Sequence, residues 1–186
     1  MQWLPALKLV LAGGWMPLAY AFSIQWLILM TLPREIQARL FDRQDWNAKQ
    51  RIFTGLGKLF SLACLVFLVL TPLSPNLFLL IAGLLVAAIG LFGMLVGLMD
   101  YAVTPLDQPV TKRLYTISRH PQVMAVSIVI LGTCIATASL PAFLALVISR
   151  LLQHFGILAE EESCLKRYGE SYRTYLQQVP RYFLFF

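Results

Sequence analysis

Charged residues are scarce in this chain. Only 13% of its 186 residues are charged, whereas 59% are hydrophobic. Ordinary soluble domains carry about 25% charged residues, so the composition excludes that class. The sequence instead predicts an integral membrane protein, built as one domain over residues 1–186.

Cysteine is equally sparse. The three cysteines, Cys64, Cys134 and Cys164, are far apart and form no CxxC pair. They indicate neither a disulfide framework nor a metal site. The chain also lacks internal repeats and low-complexity tracts.

Long apolar runs dominate what is present. Five of them approach or exceed the roughly 20 residues that a membrane-spanning helix needs. We expect spans at about 8–32, 56–73, 76–99, 123–140 and 141–158. The last two are short and joined by a tight turn, which is typical of a helical hairpin. The first has no convincing small-residue cleavage site, so we interpret it as a retained helix and not a signal peptide.

The positive charges predict the orientation. Six Lys or Arg residues lie between the first and second spans, three lie between the third and fourth, and four follow the fifth. The turns near Pro75 and Pro141 have none. By the positive-inside rule, the C-terminus and the charged loops are cytoplasmic and the N-terminus is outside. The net charge of +6 is then explained by topology and anionic lipid, and not by nucleic-acid binding.

Two further segments have organised patterns. The third span repeats small residues at Gly83, Ala87, Gly90, Gly93 and Gly97. That spacing fits either a dimer face or close packing inside the bundle, and the oligomeric state stays open. Residues 33–53 mix apolar and charged side chains, which predicts an interfacial helix and loop on the cytoplasmic surface.

The polar residues concentrate in two segments, 100–122 and the tail after the fifth span, which suggests one site assembled from both. In the first segment, Arg119 and His120 precede Pro121, a residue suited to the first turn of a helix. Both side chains would lie at that helix's N-terminus, where free N–H groups favour an anionic ligand group.

The second segment begins inside the fifth span. At about 100° per residue, Arg150, His154 and Glu161 share one face of a helix, with Glu160 and Glu162 to either side. This polar stripe could act on a substrate. Alternatively, Arg150 could extend to the lipid headgroups while His154 bonds to a neighbour. We expect the helix to continue past the membrane and end at Gly169, a natural C-terminal glycine.

In order, the two segments read PVTKRLYTISRHPQ and, after the hairpin, EEESCLKRYGESYRTYLQQVPR. They resemble the superfamily of integral membrane methyltransferases that includes isoprenylcysteine carboxyl methyltransferase and the phospholipid N-methyltransferases. Those proteins have an RHP motif, a helical hairpin, a glutamate pair, and a tail with spaced tyrosines and a VP pair. The resemblance covers 109–181, which we treat as the cofactor-binding part, following an N-terminal three-helix part (1–108) with a cytoplasmic loop at 33–55.

The resemblance implies the chemistry of the site. In this superfamily the two segments enclose S-adenosylmethionine on the cytoplasmic side, and a lipophilic substrate enters from the bilayer. The implied cofactor-binding residues are Tyr115, Arg119, His120, Pro121, Glu160 and Glu161. From helical phase we add Arg150 and His154 as candidate catalytic residues that orient or deprotonate the acceptor.

The chain departs from the superfamily's pattern at four positions. Arg113 and Ala125 replace glycines, and Val123 replaces a tyrosine. Isoprenylcysteine methyltransferases tend to have an arginine where this chain has Gly156. Because arginine is the natural partner of a substrate carboxylate, its absence argues against carboxyl methyl transfer in particular.

Two other classes remain open. The tail is also similar to that of the sterol reductases, which would make the protein an NADPH-linked membrane enzyme. RHPQ also occurs in a haem-containing carotene isomerase group, and the two histidines could ligate haem, or the protein could be non-catalytic. The leading hypothesis is an all-α, polytopic helical bundle with a cytoplasmic C-terminal helix that methylates a lipophilic acceptor.

Overall fold

The computed structural model describes residues 7–8, 10–40 and 46–183, and all regular secondary structure in these ranges is helical. A 3₁₀ turn, Arg113–Thr116, precedes α5. The chain is therefore a polytopic helical bundle, as predicted. In chain order the helices are α1 (Trp15–Thr31), α2 (Arg34–Leu40), α3 (Ala48–Val69), α4 (Leu77–Val103), α5 (Pro121–Thr137), α6 (Leu140–Tyr168) and α7 (Glu170–Gln178).

Five of these helices are apolar and correspond in order to the five predicted spans. By length and composition, α3, α4 and α6 are long and apolar enough to cross a membrane. Helices α1 and α5 have 17 residues each. At 1.5 Å per residue each is about 25 Å long, slightly short of the roughly 30 Å hydrocarbon core.

Two predicted boundaries are wrong. The first helix begins at Trp15 and not near Lys8, whose backbone N–H instead donates to Leu70 at 2.7 Å. Helix α3 begins at Ala48, eight residues before the predicted start at 56. The reason is a capping box: the Asn47 side chain accepts from the Gln50 N–H, and the Gln50 side chain accepts from the Asn47 N–H.

The predicted interfacial segment contains a helix, α2. Residues 41–45 of that segment lie outside the described residues. Arg39 on α2 donates to the carbonyl oxygens of Pro105 and Gln108, at 3.1 and 2.7 Å. Its guanidinium also lies over the Tyr101 ring, 4.8 Å from the centroid. These contacts attach α2 to the loop that follows α4.

Helix pairing is closest between α4 and α5 and between α3 and α6. Gly83 and Gly132 lie at the first contact, where a Cβ on Gly83 would clash with the backbone nitrogen of Ala136 and a Cβ on Gly132 with that of Ala87. Small residues thus let the two backbones approach each other. For Gly83, Ala87, Gly90 and Gly97, which are buried in the bundle, the structure therefore favours close packing over a dimer face.

The last two apolar helices form the predicted hairpin, joined by a turn of two residues. Helix α5 ends in a left-handed Ala138 (φ 50°), and α6 starts two residues later. The 29 residues of α6 continue beyond the predicted span to Tyr168, and Gly169 (φ 57°) ends the helix as expected. This extra length carries the glutamates to the RHP segment.

Candidate functional site

The RHP segment is joined to the C-terminal residues by backbone contacts. We call residues 179–183 the C-terminal strap. The Arg119 N–H donates to the carbonyl oxygen of Pro180 at 3.0 Å. The Ser118 hydroxyl donates to the carbonyl of Arg181 at 2.9 Å and accepts from the His120 N–H at 3.2 Å. The strap therefore fixes the backbone of the RHP segment just before Pro121 begins α5.

A buried carboxylate lies at this junction. Glu161 is only 6% exposed, and Arg181 binds both of its oxygens, with contacts of 2.8 to 3.1 Å. Its Oε1 also lies 3.3 Å from Arg119 Nη1 and 3.2 Å from His120 Nε2. We call these four residues the Glu161 cluster. Because charged partners surround it, this carboxylate can stay ionised inside the protein.

Glu160 has a different environment, although it is the next residue. Its side chain is 51% exposed, and its nearest ionic contact is His120 Nδ1 at 3.7 Å. His120 therefore lies between the two glutamates, with one ring nitrogen toward each. Glu162 is solvated: it accepts from Gln50 at 3.3 Å and lies 4.0 Å from Lys166.

Two adjoining cavities, each of about 220 Å³, meet at the RHP segment. The first cavity is bounded by α3, α6 and the tyrosines of α7. The second extends between α1 and α4, where Gln25, Leu29 and Leu98 line it. The residues that line both cavities are Leu40, Tyr101, Tyr115, Arg119, His120, Val123 and Glu160.

Tyr115 is held in this shared wall by two hydrogen bonds. Its hydroxyl accepts from the Gln122 side chain at 3.2 Å, and its backbone carbonyl accepts from the Tyr175 hydroxyl at 2.7 Å. Burial raises the pKa of the Tyr115 hydroxyl, and burial likewise raises the pKa of Tyr175. Both side chains are therefore neutral at physiological pH, and the faces of their rings can attract a cation.

Three departures from the superfamily's pattern have physical explanations here. Arg113, at a glycine position, has φ 49°, the left-handed conformation that favours glycine, and its guanidinium pairs with buried Asp100 at 3.1 Å. Ala125 is 4% exposed, and its methyl group packs beside Gly93 on α4. Val123 lines both cavities, where a tyrosine would fill more of the space.

Gly156 is explained by two neighbours, Thr54 on α3 and Trp46 just before α3. A Cβ at this position would lie 2.7 Å from the Thr54 hydroxyl and 3.1 Å from the Trp46 ring. An arginine cannot fit there without moving α3. Instead, Trp46 and Thr54 line the first cavity at this point.

The structure brings some predicted site residues together and leaves others apart. Tyr115, Arg119, His120 and Glu160 line the cavities, whereas Glu161 belongs to the cluster behind them. Pro121 is buried at the start of α5, and it is absent from the cavity lining. Its contribution is thus to end the RHP segment and begin the helix.

Arg150 and His154 do not line either cavity. An Arg150 Nη2 donates to the Ser61 hydroxyl at 3.3 Å, and His154 Nδ1 lies 2.7 Å from the Tyr182 hydroxyl. The predicted polar face of α6 exists, because Arg150, His154 and Glu161 do share a side. That side of α6 faces α3 and the C-terminal strap. Glu160, which lines both cavities, lies on the adjacent side of the helix.

Sequence reasoning missed Arg181 as a site residue. In the sequence it is one of four positive charges after the fifth span. The hydrogen bonds to Glu161 raise the pKa of the Arg181 guanidinium, so it remains charged. The signal that could have found it is its place directly after the VP pair, opposite the glutamates.

The comparison with known families agrees with this arrangement. A family model described as phospholipid methyltransferase matches residues 76–171, just over half of the chain. The match begins before α4 and extends into α7, so it includes the RHP segment and all three glutamates. No curated protein and no solved structure matches the chain significantly.

Proposed function

The chain belongs to the phospholipid methyltransferase family, and we propose that it transfers a methyl group from S-adenosylmethionine to a lipophilic acceptor at the cytoplasmic face of the membrane. Membership makes it a membrane methyltransferase. The observation that carries the finer proposal is the pair of adjoining cavities, which share Tyr115, Arg119, His120 and Glu160 as a common wall. A donor and an acceptor bound in the two cavities would meet at that wall.

The first cavity fits the donor by chemistry. S-adenosylmethionine carries a carboxylate, an amino group, ribose hydroxyls and a sulfonium. Arg119 is 7% exposed, and its buried Nε has no acceptor among the described residues, so it can bind a carboxylate. Glu160 can accept from an amino group or from hydroxyls. The neutral rings of Tyr115 and Tyr175, which line this cavity, can face a cation.

The second cavity fits an acceptor with an apolar portion. Leu29 on α1 and Leu98 on α4 line it, and both belong to apolar helices. Exposed apolar side chains on these helices, such as Met30 and Met99, indicate that their outer surfaces face lipid. A lipophilic molecule could therefore enter from the bilayer and bring its polar end to Glu160 and His120.

The reaction places modest demands on the protein. When bound, the donor supplies an electrophilic methyl carbon. The shared wall would orient the acceptor's nucleophilic atom toward it. A proton leaving the acceptor could pass to Glu160 or His120, which both line the two cavities.

Arg150 and His154 were predicted to orient or deprotonate the acceptor. That role would require an acceptor on the strap-facing side of α6. Their contacts with Ser61 and Tyr182 support a packing role instead, and a substitution at His154 can decide between the two. The NADPH-linked and haem-binding alternatives lack comparable support, because the family match is to methyltransferases.

The predicted topology completes the proposal. The cavities lie near the RHP segment and the C-terminal tail, which the positive-inside rule assigns to the cytoplasm. The acceptor would then be methylated at the cytoplasmic leaflet, with the N-terminus on the opposite side. Cysteine-accessibility labelling at the two termini can test this orientation.

Calorimetric titration of detergent-purified protein with S-adenosylmethionine tests the donor. We expect binding by the wild type, and a dissociation constant about tenfold to a hundredfold higher in Glu160→Gln, as for the loss of a charge-assisted hydrogen bond. Glu162→Gln is the matched control, because Glu162 lines neither cavity. Wild-type protein that binds NADPH but not S-adenosylmethionine would contradict the proposal.

A further inference from the structure

The C-terminal strap contacts the site through the side chain of Arg181. Arg181 contacts the buried Glu161, and neither residue lines the first cavity. Its Nε and Nη2 together engage both carboxylate oxygens, in the paired geometry that gives arginine its strongest contacts with carboxylates. Its side chain is 22% exposed, whereas that of Arg119 is 4% exposed. Arg181 is therefore the partner that reaches Glu161 from the protein surface.

This pairing leaves Arg119 only partly engaged. Arg119 contacts Glu161 through Nη1 alone, at 3.3 Å, which is longer than any contact of Arg181 with the same carboxylate. Without Arg181, the buried Glu161 carboxylate would lose the hydrogen-bond donors that bind both of its oxygens. The nearest guanidinium is that of Arg119, which would be drawn toward Glu161 and away from the cavities.

His120 connects the same cluster to the cavities by a second route. Its Nε2 lies 3.2 Å from Glu161, and its Nδ1 lies 3.7 Å from Glu160, which lines both cavities. The orientation of the ring thus depends on where the Glu161 carboxylate is held. Arg181 holds it, so a change at the strap would alter two residues of the shared wall.

We propose that Arg181 is a positioning residue for the methyl-donor site: by binding both oxygens of Glu161, it keeps Arg119 and His120 in place to line the cavities. The inference rests on the proposed function for its consequence, because the donor is the ligand whose binding would change. The linkage between Arg181 and His120 can be tested without any ligand.

Ring ¹⁵N signals of histidine provide that ligand-free test. The chain has two histidines, His120 and His154, so ¹⁵N-histidine labelling of detergent-solubilised protein yields two rings, and a His154→Gln sample assigns them. We expect Arg181→Gln to shift the His120 ring signals. Arg173→Gln is the matched control, because Arg173 pairs with Glu170 at 3.1 Å on exposed α7 surface, and it should leave them unchanged.

Donor binding supplies the second readout. We expect Arg181→Gln to raise the dissociation constant for S-adenosylmethionine about tenfold to a hundredfold. The KM for the donor should rise more than kcat falls, because Arg181 acts on binding residues and touches no reacting atom. Arg181→Lys keeps the charge but cannot engage both oxygens in the same way, so it should give intermediate values for the ring signals and the affinity.

The outcomes separate this inference from the proposed function. If the wild type binds the donor and Arg181→Gln leaves both the affinity and the His120 signals at wild-type values, the Arg181 inference is overturned alone. If the wild type does not bind the donor, the proposed function fails, while the ring signals still report on the linkage. Should Arg181→Gln not fold, Arg181→Lys decides, and wild-type behaviour in both measurements overturns the inference.

Discussion

Helix α6 carries two adjacent glutamates, Glu160 and Glu161, that point to neighbouring sides of the helix and have different environments. Glu160 is half exposed and lines both cavities, whereas Glu161 is buried among Arg119, His120 and Arg181. Successive residues point about 100° apart around a helix. This rotation is enough to place one side chain in a cavity and the next in contact with other helices of the same chain. Adjacent residues of one motif can therefore have separate tasks: one to bind a ligand, the other to hold the wall.

The largest expected difference between the two sides is in stability. We expect Glu161→Gln to lower the free energy of unfolding by about 3 kcal/mol, because it leaves the buried Arg119 and its neighbour Arg181 without a counter-charge. For a chain of this length, that corresponds to a fall in Tm of roughly 10 °C. Thermal unfolding of the purified protein in detergent, followed by circular dichroism, measures it.

Glu160→Gln is the control on the other side of the helix. Its half-exposed carboxylate makes only a long contact with His120, so we expect a change in stability below about 1 kcal/mol. Donor affinity should nevertheless fall. If the two substitutions destabilise the protein equally, the division of tasks between the two glutamates is wrong.

The meeting of the two polar segments could be predicted from sequence because both are short and anchored by strong local signals. Pro121 marks the start of α5, and Gly169 marks the end of α6. The helical period then determines that Glu161 shares a side with Arg150 and His154. The helical period does not predict which segment packs against that side. In the structure, that segment is the C-terminal strap.

Other features depend on contacts between distant parts of the chain. Arg181 is a single charge in a tail, and nothing local links it to Glu161, 20 residues earlier. The start of α3 was missed for a different reason. Asn47 and Gln50 form a capping box in a polar stretch, where a search for apolar periodicity gives no signal.

The cavity side of α6 can be perturbed through Gly156. Gly156→Ala would place a methyl group 2.7 Å from the Thr54 hydroxyl and 3.1 Å from the Trp46 ring, so these side chains or their backbone must shift. We expect a loss of about 1 to 3 kcal/mol in stability, together with weaker donor binding because Trp46 and Thr54 line the first cavity. Thermal unfolding and calorimetry on the same sample measure the two effects.

Gly55→Ala is the matched control for that substitution. Gly55 is also helical, and apart from its chain neighbours and the helix's own backbone no described atom lies within 4 Å of a Cβ there. Alanine there should stabilise the protein by about 0.5 to 1 kcal/mol through its higher helix propensity. Equal effects of the two alanines would show that the α3–α6 contact at Gly156 is not close in solution.

The smallest expected effect on donor binding is at His154, on the strap-facing side. His154→Gln removes a hydrogen bond to the Tyr182 hydroxyl, which should cost about 1 kcal/mol of stability. Because His154 lines neither cavity, we expect donor affinity and methyl-transfer rate within about twofold of the wild type once folding is matched. A variant that binds the donor normally but loses turnover would mean that the acceptor reaches the strap-facing side, and the catalytic role predicted for His154 from helical phase would then be restored.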